Sequence, residues 1–334
     1  MAHVAPRAAS TPPLLRAAAP PLVALVVLFG AGAAGAGAGD ARARAKEDAW
    51  WAGLDAPRES APARGVHALR FAVDGRARIA GGTFVMGSSP TDMVRAVMLC
   101  RREILRVRCD DVAMQFRAEG AAHEVTLSPF EIDRTEVRVR DYARCVAAGA
   151  CPPPGFVRGD RRFDVPDQPV VQVRWDQAAS YCAWAGGRLP TEAEWELAAR
   201  GLRDDERDYP WGNVYNPHLV NHGAFAQDDA DGSDGFAGLA PVASFPDGAT
   251  PAGVVDMAGN AAEWVADFYD VDENGFGHAA APESNPRGPK TGIFHVIRGG
   301  SYLSGAAWVR SAARSMMWLP RSAAVGFRCA ADVQ

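Results

Sequence analysis

One stretch constrains the fold more than any other: Gly187-Arg188-Leu189-Pro190-Thr191-Glu192-Ala193-Glu194-Trp195-Glu196-Leu197-Ala198-Ala199-Arg200-Gly201. Thr191 is placed to cap a helix, and Glu194, three residues on, reaches back to complete a capping box. Pro190 stands just outside, where a missing N–H costs nothing, and Gly201 after Arg200 is a stop. Trp195, Ala198 and Ala199 recur at i, i+3 and i+4, which predicts one buried face.

The rest of the chain has to supply what covers that face. Apolar residues make up 48% of the 334, enough for a real core in one large domain or two. The net charge of −5 comes with no basic stripe, which argues against nucleic acid as a partner. With 34 Gly, 24 Pro and 9 Trp, the composition describes a loop-rich fold anchored by large aromatics rather than a helical bundle.

Residues 1–39 read as a targeting segment. Arg7 and Arg16 form a basic region, Leu22 to Phe29 is an apolar run, and Gly30 to Gly39 is a small-residue tract suited to signal peptidase. The competing reading is an uncleaved anchor, because the uncharged stretch is long enough to span a membrane. Either way the protein is expected to be exported, periplasmic or extracellular. No Cys precedes Cys100, so lipid attachment at a processed N-terminus is not expected. Residues 40–75 form a linker rich in Ala, Arg, Pro and Glu, with Trp50-Trp51 as an anchor, and the folded domain is expected over 76–334.

Export makes disulfides the default for Cys100, Cys109, Cys145, Cys151, Cys182 and Cys329. Spacing favours Cys100–Cys109 and Cys145–Cys151, which leaves Cys182 with Cys329, although six cysteines allow about 15 pairings. Zinc is a poor alternative, because no Cys-x-x-Cys pair exists.

Along the domain, Ala77–Ile79 and Phe84–Met86 read as two strands around the Gly81-Gly82 turn. Thr91 to about Glu119 reads as helical, clamped by its cysteine pair. His123 to Ile132 alternates as one strand, continued by Thr135 to Val137. Val139 to Ala147 is a helix with Tyr142, Ala143 and Val146 inward. Asp176 is placed to cap a helix from Gln177 to Ala185, which ends at Gly186-Gly187. Beyond Tyr209, loops dominate.

Six ordered motifs then resemble the formylglycine-generating enzyme, or sulfatase-modifying factor, family. They are Gly81-Gly82-Thr83-Phe84-Val85-Met86-Gly87, the Gly187–Glu196 stretch, Pro210-Trp211-Gly212-Asn213, Met257 to Trp264, Arg298-Gly299-Gly300-Ser301-Tyr302 and Gly326-Phe327-Arg328-Cys329. The resemblance spans about residues 76–332. It implies an α+β fold of C-type-lectin-like kind, low in regular structure, held by calcium and disulfides, with Cys182–Cys329 as a structural bridge.

In active members of that family, two cysteines after the Gly-Gly-Ser motif hold copper(I) and oxidise a sulfatase cysteine to formylglycine. Two soft thiolates suit that ion. Here Ser304 stands where the first cysteine would be, and Gly305 to Trp308 is shorter and contains none. A hydroxyl is a poor copper(I) donor, so copper is not expected and Ser301, Ser304 and Arg314 mark a vestigial site. A second family disulfide is also missing, its positions being Ala199 and Ser311, and the Trp usual inside the Gly-Asn-Ala-x-Glu-Trp motif is Ala262.

By position, the resemblance implies two calcium sites. One uses the Asn221 and Asp234 side chains with the carbonyls of His222 and Phe236; the other uses Asp256 and Glu263 with the carbonyls of Gly259 and Ala261. All are the hard oxygen donors that calcium prefers. Asp270 to Gly275 copies half of an EF-hand loop, but position twelve is Ala281, so it reads as a solvated loop. His218 and His222 are four apart, but Asn216 and Pro217 just before them favour a loop over a zinc-binding helix. Arg310 and Arg314, near Ser304, read as a solvated or ion-paired face, with an anionic ligand as the alternative. The reading that follows is an exported binding or scaffold protein without copper, holding a peptide, a glycan or an envelope component. It takes no nucleic acid and touches a membrane only through an uncleaved N-terminal segment. A formylglycine-generating oxidase with a variant site is the alternative.

Overall fold

The computed structural model describes residues 75–103, 109, 115–225, 229–278 and 281–333. The targeting segment, nearly all of the linker and Trp50-Trp51 lie outside those residues. The elements in chain order are β1 (Arg76–Ile79), β2 (Gly82–Met86), α1 (Pro90–Glu103), β3 (His123–Leu127), β4 (Phe130–Asp133), α2 (Val139–Ala147), α3 (Trp175–Trp184), α4 (Glu192–Arg200), β5 (Gly223–Phe225), β6 (Asp229–Ala230), β7 (Ala262–Phe268), β8 (Glu283–Ser284), β9 (His295–Arg298), β10 (Arg314–Met316), β11 (Val325–Gly326) and β12 (Ala330–Asp332). Short strands, few helices and long connections make this the expected α+β class.

Three small sheets surround α4, with strand orders β1-β4-β12, β2-β3-β8 and β10-β9-β7-β11; β5 and β6 form a separate ribbon. Three local expectations are corrected. The strands flanking Gly81-Gly82 do not pair with each other: β1 joins β4 and β2 joins β3. Gly81 has φ +68°, and a Cβ there would lie 2.6 Å from the Leu127 carbonyl oxygen, so the chain turns tightly between two sheets at that point. The single strand expected from His123 to Ile132 breaks at Ser128-Pro129 into β3 and β4 for the same reason. The third correction concerns α3, which starts at Trp175. Its amide cap is the Gln177 side chain, which accepts from the Arg174 N–H at 2.9 Å, while Asp176 is instead paired with Arg174.

Thr191 caps α4 as expected. The Glu194 N–H donates to Thr191 Oγ1 (3.2 Å), the Thr191 N–H donates to Glu194 (2.8 Å), and Gly201 ends the helix at φ +88°. One buried face was expected, but every residue from Glu192 to Arg200 is buried. Trp195, Leu197, Ala198 and Ala199 join the core with Phe84, Val125, Ile132, Met257 and Val265. The three glutamates are tolerated there because each meets a guanidinium: Glu194 that of Arg188, at 2.7 Å to both oxygens, and Glu192 and Glu196 those described below. Of the expected helix from Thr91 to Glu119, α1 covers Pro90–Glu103, and part of the remainder lies outside the described residues.

All six cysteines are bridged: Cys100–Cys109, Cys145–Cys151 and Cys182–Cys329. The third joins α3 to the residue just before β12 across 147 positions of sequence. A closure of that length removes the most freedom from the unfolded chain, worth on the order of 4–5 kcal/mol in the chain-entropy picture.

Candidate functional site: a cleft on one face of the four-stranded sheet

The sheet β10-β9-β7-β11 has two chemically opposite faces, and its register assigns each residue to one. Directly opposed residues point to the same side of a sheet, and neighbours along a strand point to opposite sides. Glu263 opposes Arg298, which opposes Arg314, so these three share one face. Trp264 opposes Ile297, which opposes Ser315, and Ala262 opposes Val325, so these share the other.

The first face packs on α4 and is ionic. Arg314 donates to both oxygens of Glu192 at 2.7 and 2.9 Å. Arg298 donates to Glu192 at 3.2 Å and to Glu196 at 2.5 Å, and its guanidinium lies 5.3 Å from the Trp195 ring centre. Glu196 also takes the Gly87 N–H at 2.8 Å and Arg200 at 3.1 Å. Arg328 grips Glu263 at 2.6 and 2.7 Å, and the Trp195 indole N–H adds a third bond to that carboxylate at 2.7 Å. Burial alone would raise the Glu192 pKa, but Arg314 and Arg298 outweigh it and hold the carboxyl at about 2. Asp267, which accepts the Glu192 N–H at 2.7 Å, has no such partner. Burial, with the Glu192 charge added, raises it to about 7. Arg310 is likewise held by Glu119, at 2.5 and 3.0 Å, so both arginines are buried and ion-paired rather than solvated.

The second face is partly covered by α3 and partly open. Where it is open, a cleft of about 250 Å³ lies over Ala262, Ile297, Ser315 and Val325. Its walls are the loop Gly300–Ser304 with Trp308, and the segment Met317–Ser322. Ser301 and Ser304, predicted from sequence to mark this place, are both at the cleft and both buried. They build a turn. Ser304 Oγ accepts the Ser301 N–H at 3.0 Å, the Ser304 N–H donates to the Ser301 carbonyl at 2.8 Å, and Ser301 Oγ accepts the Leu303 N–H at 3.2 Å. Arg314 borders the cleft too, but its guanidinium is spent on the ionic face. No thiol is within reach, because every cysteine is in a disulfide elsewhere. The residues at this cleft therefore do not fit copper(I).

The two loops expected to hold calcium are brought together, since Asn221 forms an isolated bridge with Gly259 and its carbonyl accepts the Asn260 N–H at 2.9 Å. In the first loop Asn221 Oδ1 is buried without a hydrogen-bond partner, while Asp234 accepts the N–H groups of His222 and Phe236, both at 2.8 Å. An unpartnered buried oxygen next to a carboxylate loop suits a hard cation. In the second loop Glu263 is already held by Arg328 and Trp195, and Asp256 takes the Ala243 N–H at 2.6 Å. Sequence reasoning missed Glu136 here. Its Oε2 is buried and unpartnered, and its Oε1 accepts from Asn260 at 3.1 Å and from the Ala261 N–H at 3.3 Å. Burial, then the charges of Asp256 and Glu263, push Glu136 well above the usual carboxylate range. Asp256 is raised as well, again by burial first, so these carboxyls hold protons that a divalent cation would have to displace. Among the described residues, no three carboxylate, imidazole or thiol groups converge on one point, so any such ion would lean on amide and carbonyl oxygens. His218 sits in a short turn of 3₁₀ helix after Asn216 and makes no site with His222.

A capped helix buried beneath an arginine-bearing sheet and a cleft beyond the Gly-Gly-Ser turn are the frame of a sulfatase-modifying factor enzyme 1-like domain. The model of that family matches residues 65–333, and the chain belongs to it. Among its relatives is a formylglycine-generating enzyme of Thermomonospora curvata, 35% identical over 314 residues, covering 77% of this chain and 93% of that protein. A mouse protein named inactive C-alpha-formylglycine-generating enzyme 2 is 40% identical over 172 residues, with 49% of each chain covered. The solved structure of PvdO from Pseudomonas aeruginosa aligns with a TM-score of 0.55 at 27% identity, over 77% of this chain and 94% of that one.

Proposed function

We propose that this chain is an exported member of the family that binds a ligand at the cleft and does not oxidise a cysteine there. The observation that carries the reading is the chemistry at Ser304. The position holds a hydroxyl that is already committed to a backbone turn, and all six cysteines of the chain are consumed in disulfides. A copper-thiolate oxidase needs two thiolates at one point. The three disulfides also support an oxidising compartment. The ligand is a peptide, a glycan or an envelope component. The identity to a formylglycine-generating enzyme favours the oxidase as the alternative.

Incubation with copper(I), oxygen and a Cys-x-Pro-x-Arg peptide separates the two. The binding reading expects unchanged peptide by mass spectrometry, and aldehyde formation would overturn it.

Calcium at the Asn221/Asp234 and Glu136/Asp256 loops belongs to the same proposal, with a structural role. Chelation is expected to lower the melting temperature, and reduction combined with chelation to unfold the domain. A melting curve and a protease-resistance pattern indifferent to chelator would remove calcium from the account.

A further inference from the structure

One buried nitrogen near the ionic face has neither a partner nor a part in the cleft. His278 Nε2 is buried and makes no hydrogen bond. A buried polar atom left without a partner calls for an explanation. Its ring stands beside that of His123, the first residue of β3, with the ring centres 5.4 Å apart and the planes inclined at 39°.

The two residues are remote in sequence, and the backbone holds them together. The His278 N–H donates to the Gly120 carbonyl at 2.8 Å, and the Ala121 N–H donates back to the His278 carbonyl at 3.2 Å. His123 is itself buried and opposes Met86 of β2. On the other side, the segment Asp270–His278 is braced from within. Asp272 accepts the N–H groups of Asn274 and Phe276, both at 2.8 Å, and its own N–H donates to the Phe276 carbonyl at 2.8 Å. The carboxylate at the centre of the EF-hand likeness therefore serves the turn.

Both rings can present a lone pair. His123 Nδ1 lies 3.0 Å from the Ala121 carbonyl, where only an N–H can bond, so the neutral ring carries its lone pair on Nε2. A backbone carbonyl on the far nitrogen is a common brace of a metal-binding imidazole. Burial lowers the His278 pKa to about 4, so this ring is neutral at any pH well above that. The charges that act on it are two of each sign, Glu192 and Glu196 against Arg314 and Arg298. A zinc–nitrogen bond is about 2.0 Å, so two imidazoles on one tetrahedral ion have ring centres roughly 5 Å apart. A hydrogen bond between the rings is not the explanation, because it would have given His278 Nε2 a partner.

We infer that His123 and His278 bind one divalent cation of the zinc class through their Nε2 atoms, with water in the remaining positions. Neutral imidazole suits such ions, whereas calcium prefers oxygen. Among the described residues no third imidazole, thiolate or carboxylate joins the pair, which makes the site exchangeable rather than permanent. The ion pins the segment Asp270–His278 to the start of β3. The Asp270 carbonyl of the same segment accepts from Arg314 at 3.3 Å, so the pin also steadies one edge of the ionic face. The site is separate from the cleft and from both loops expected to hold calcium, and it stands whether or not the cleft binds a ligand.

The test is calorimetric titration of the untagged chain with zinc chloride, with calcium in excess and without reductant, so that every cysteine stays in its disulfide. One zinc per chain is expected. His278→Gln and His123→Gln are each expected to weaken binding at least tenfold, and His218→Gln, in an exposed turn, to leave it unchanged. Zinc is also expected to raise the melting temperature of the wild-type chain and of neither site variant, a comparison that holds even where a variant starts out less stable. In crystals soaked with zinc, an anomalous peak is expected between the two rings. No zinc binding by the wild-type chain, equal binding by His278→Gln, or an anomalous peak only elsewhere would overturn the site.

Discussion

The two faces of the four-stranded sheet are built from alternate residues of the same short strands, yet they serve opposite ends. One face carries Glu263, Arg298 and Arg314, pressed on the carboxylates of the capped helix and closed to water. The other carries Ala262, Ile297, Ser315 and Val325 and is left partly open as a cleft. On the proposed binding reading, a period-two pattern separates stability from recognition within single strands. The rigid ionic side fixes where the open side presents its edge.

The sharpest way to break that contrast is to cut the ionic face. Arg298→Ala leaves Glu192 and Glu196 buried with less compensation, and removing one partner of a buried ion pair typically costs about 3–5 kcal/mol. Ser315→Ala, one residue across on the other face, is expected to cost less than about 0.5 kcal/mol. Urea denaturation of both variants measures the difference, and similar losses would mean that the faces are not functionally distinct.

The pH dependence comes next in size. Glu192 has a folded pKa of about 2, below its ordinary 4.5. Its contribution is full above about pH 4.5 and is lost as pH falls toward 2. Asp267 runs the other way. Its folded value of about 7 lies above its ordinary 3.8, so its contribution is present below pH 3.8 and lost as pH rises through 7. Each shift corresponds to roughly 3–4 kcal/mol. Asp267→Asn, which keeps an acceptor for the Glu192 N–H but cannot ionise, is expected to flatten the decline between pH 4 and 7. A decline that persists unchanged would assign it to other groups.

The smallest effect lies at the turn. Ser304→Ala removes the acceptor of the Ser301 N–H and is expected to cost about 1 kcal/mol. Ser304→Cys is expected to leave the protein without oxidase activity, because a second thiolate is still missing. Activity in that single variant would show that the cleft keeps more of an oxidase than its sulfur content suggests.

The sequence made the helix at Glu192–Arg200 legible because its cap, its stop and its aromatic are all local, within three or four residues of one another. Two disulfide pairs were favoured by short spacing, and the third pair and the position of Ser304 followed from the resemblance carried by the ordered motifs. Partners remote in the chain were not. The spacing of Trp195, Ala198 and Ala199 marks one buried face and says nothing of Glu192 and Glu196, whose partners Arg298 and Arg314 lie over 100 residues away. The hairpin expected at Gly81-Gly82 failed because strand pairing there is decided by β3 and β4, not by the turn. Glu136 was passed over because nothing around it in sequence signals a site. Its meaning comes from Asn260, 124 residues on. The open edge of β10 depends on sheet order, which no local pattern encodes.

The most direct test of the central claim is a copper(I) titration of the purified, unreduced chain against a competing copper(I) chelator. If hydroxyl has replaced thiolate at the cleft, the chelator keeps all the metal and no thiolate-to-copper absorption appears. One copper(I) retained per chain, released on alkylation of cysteine, would contradict the account.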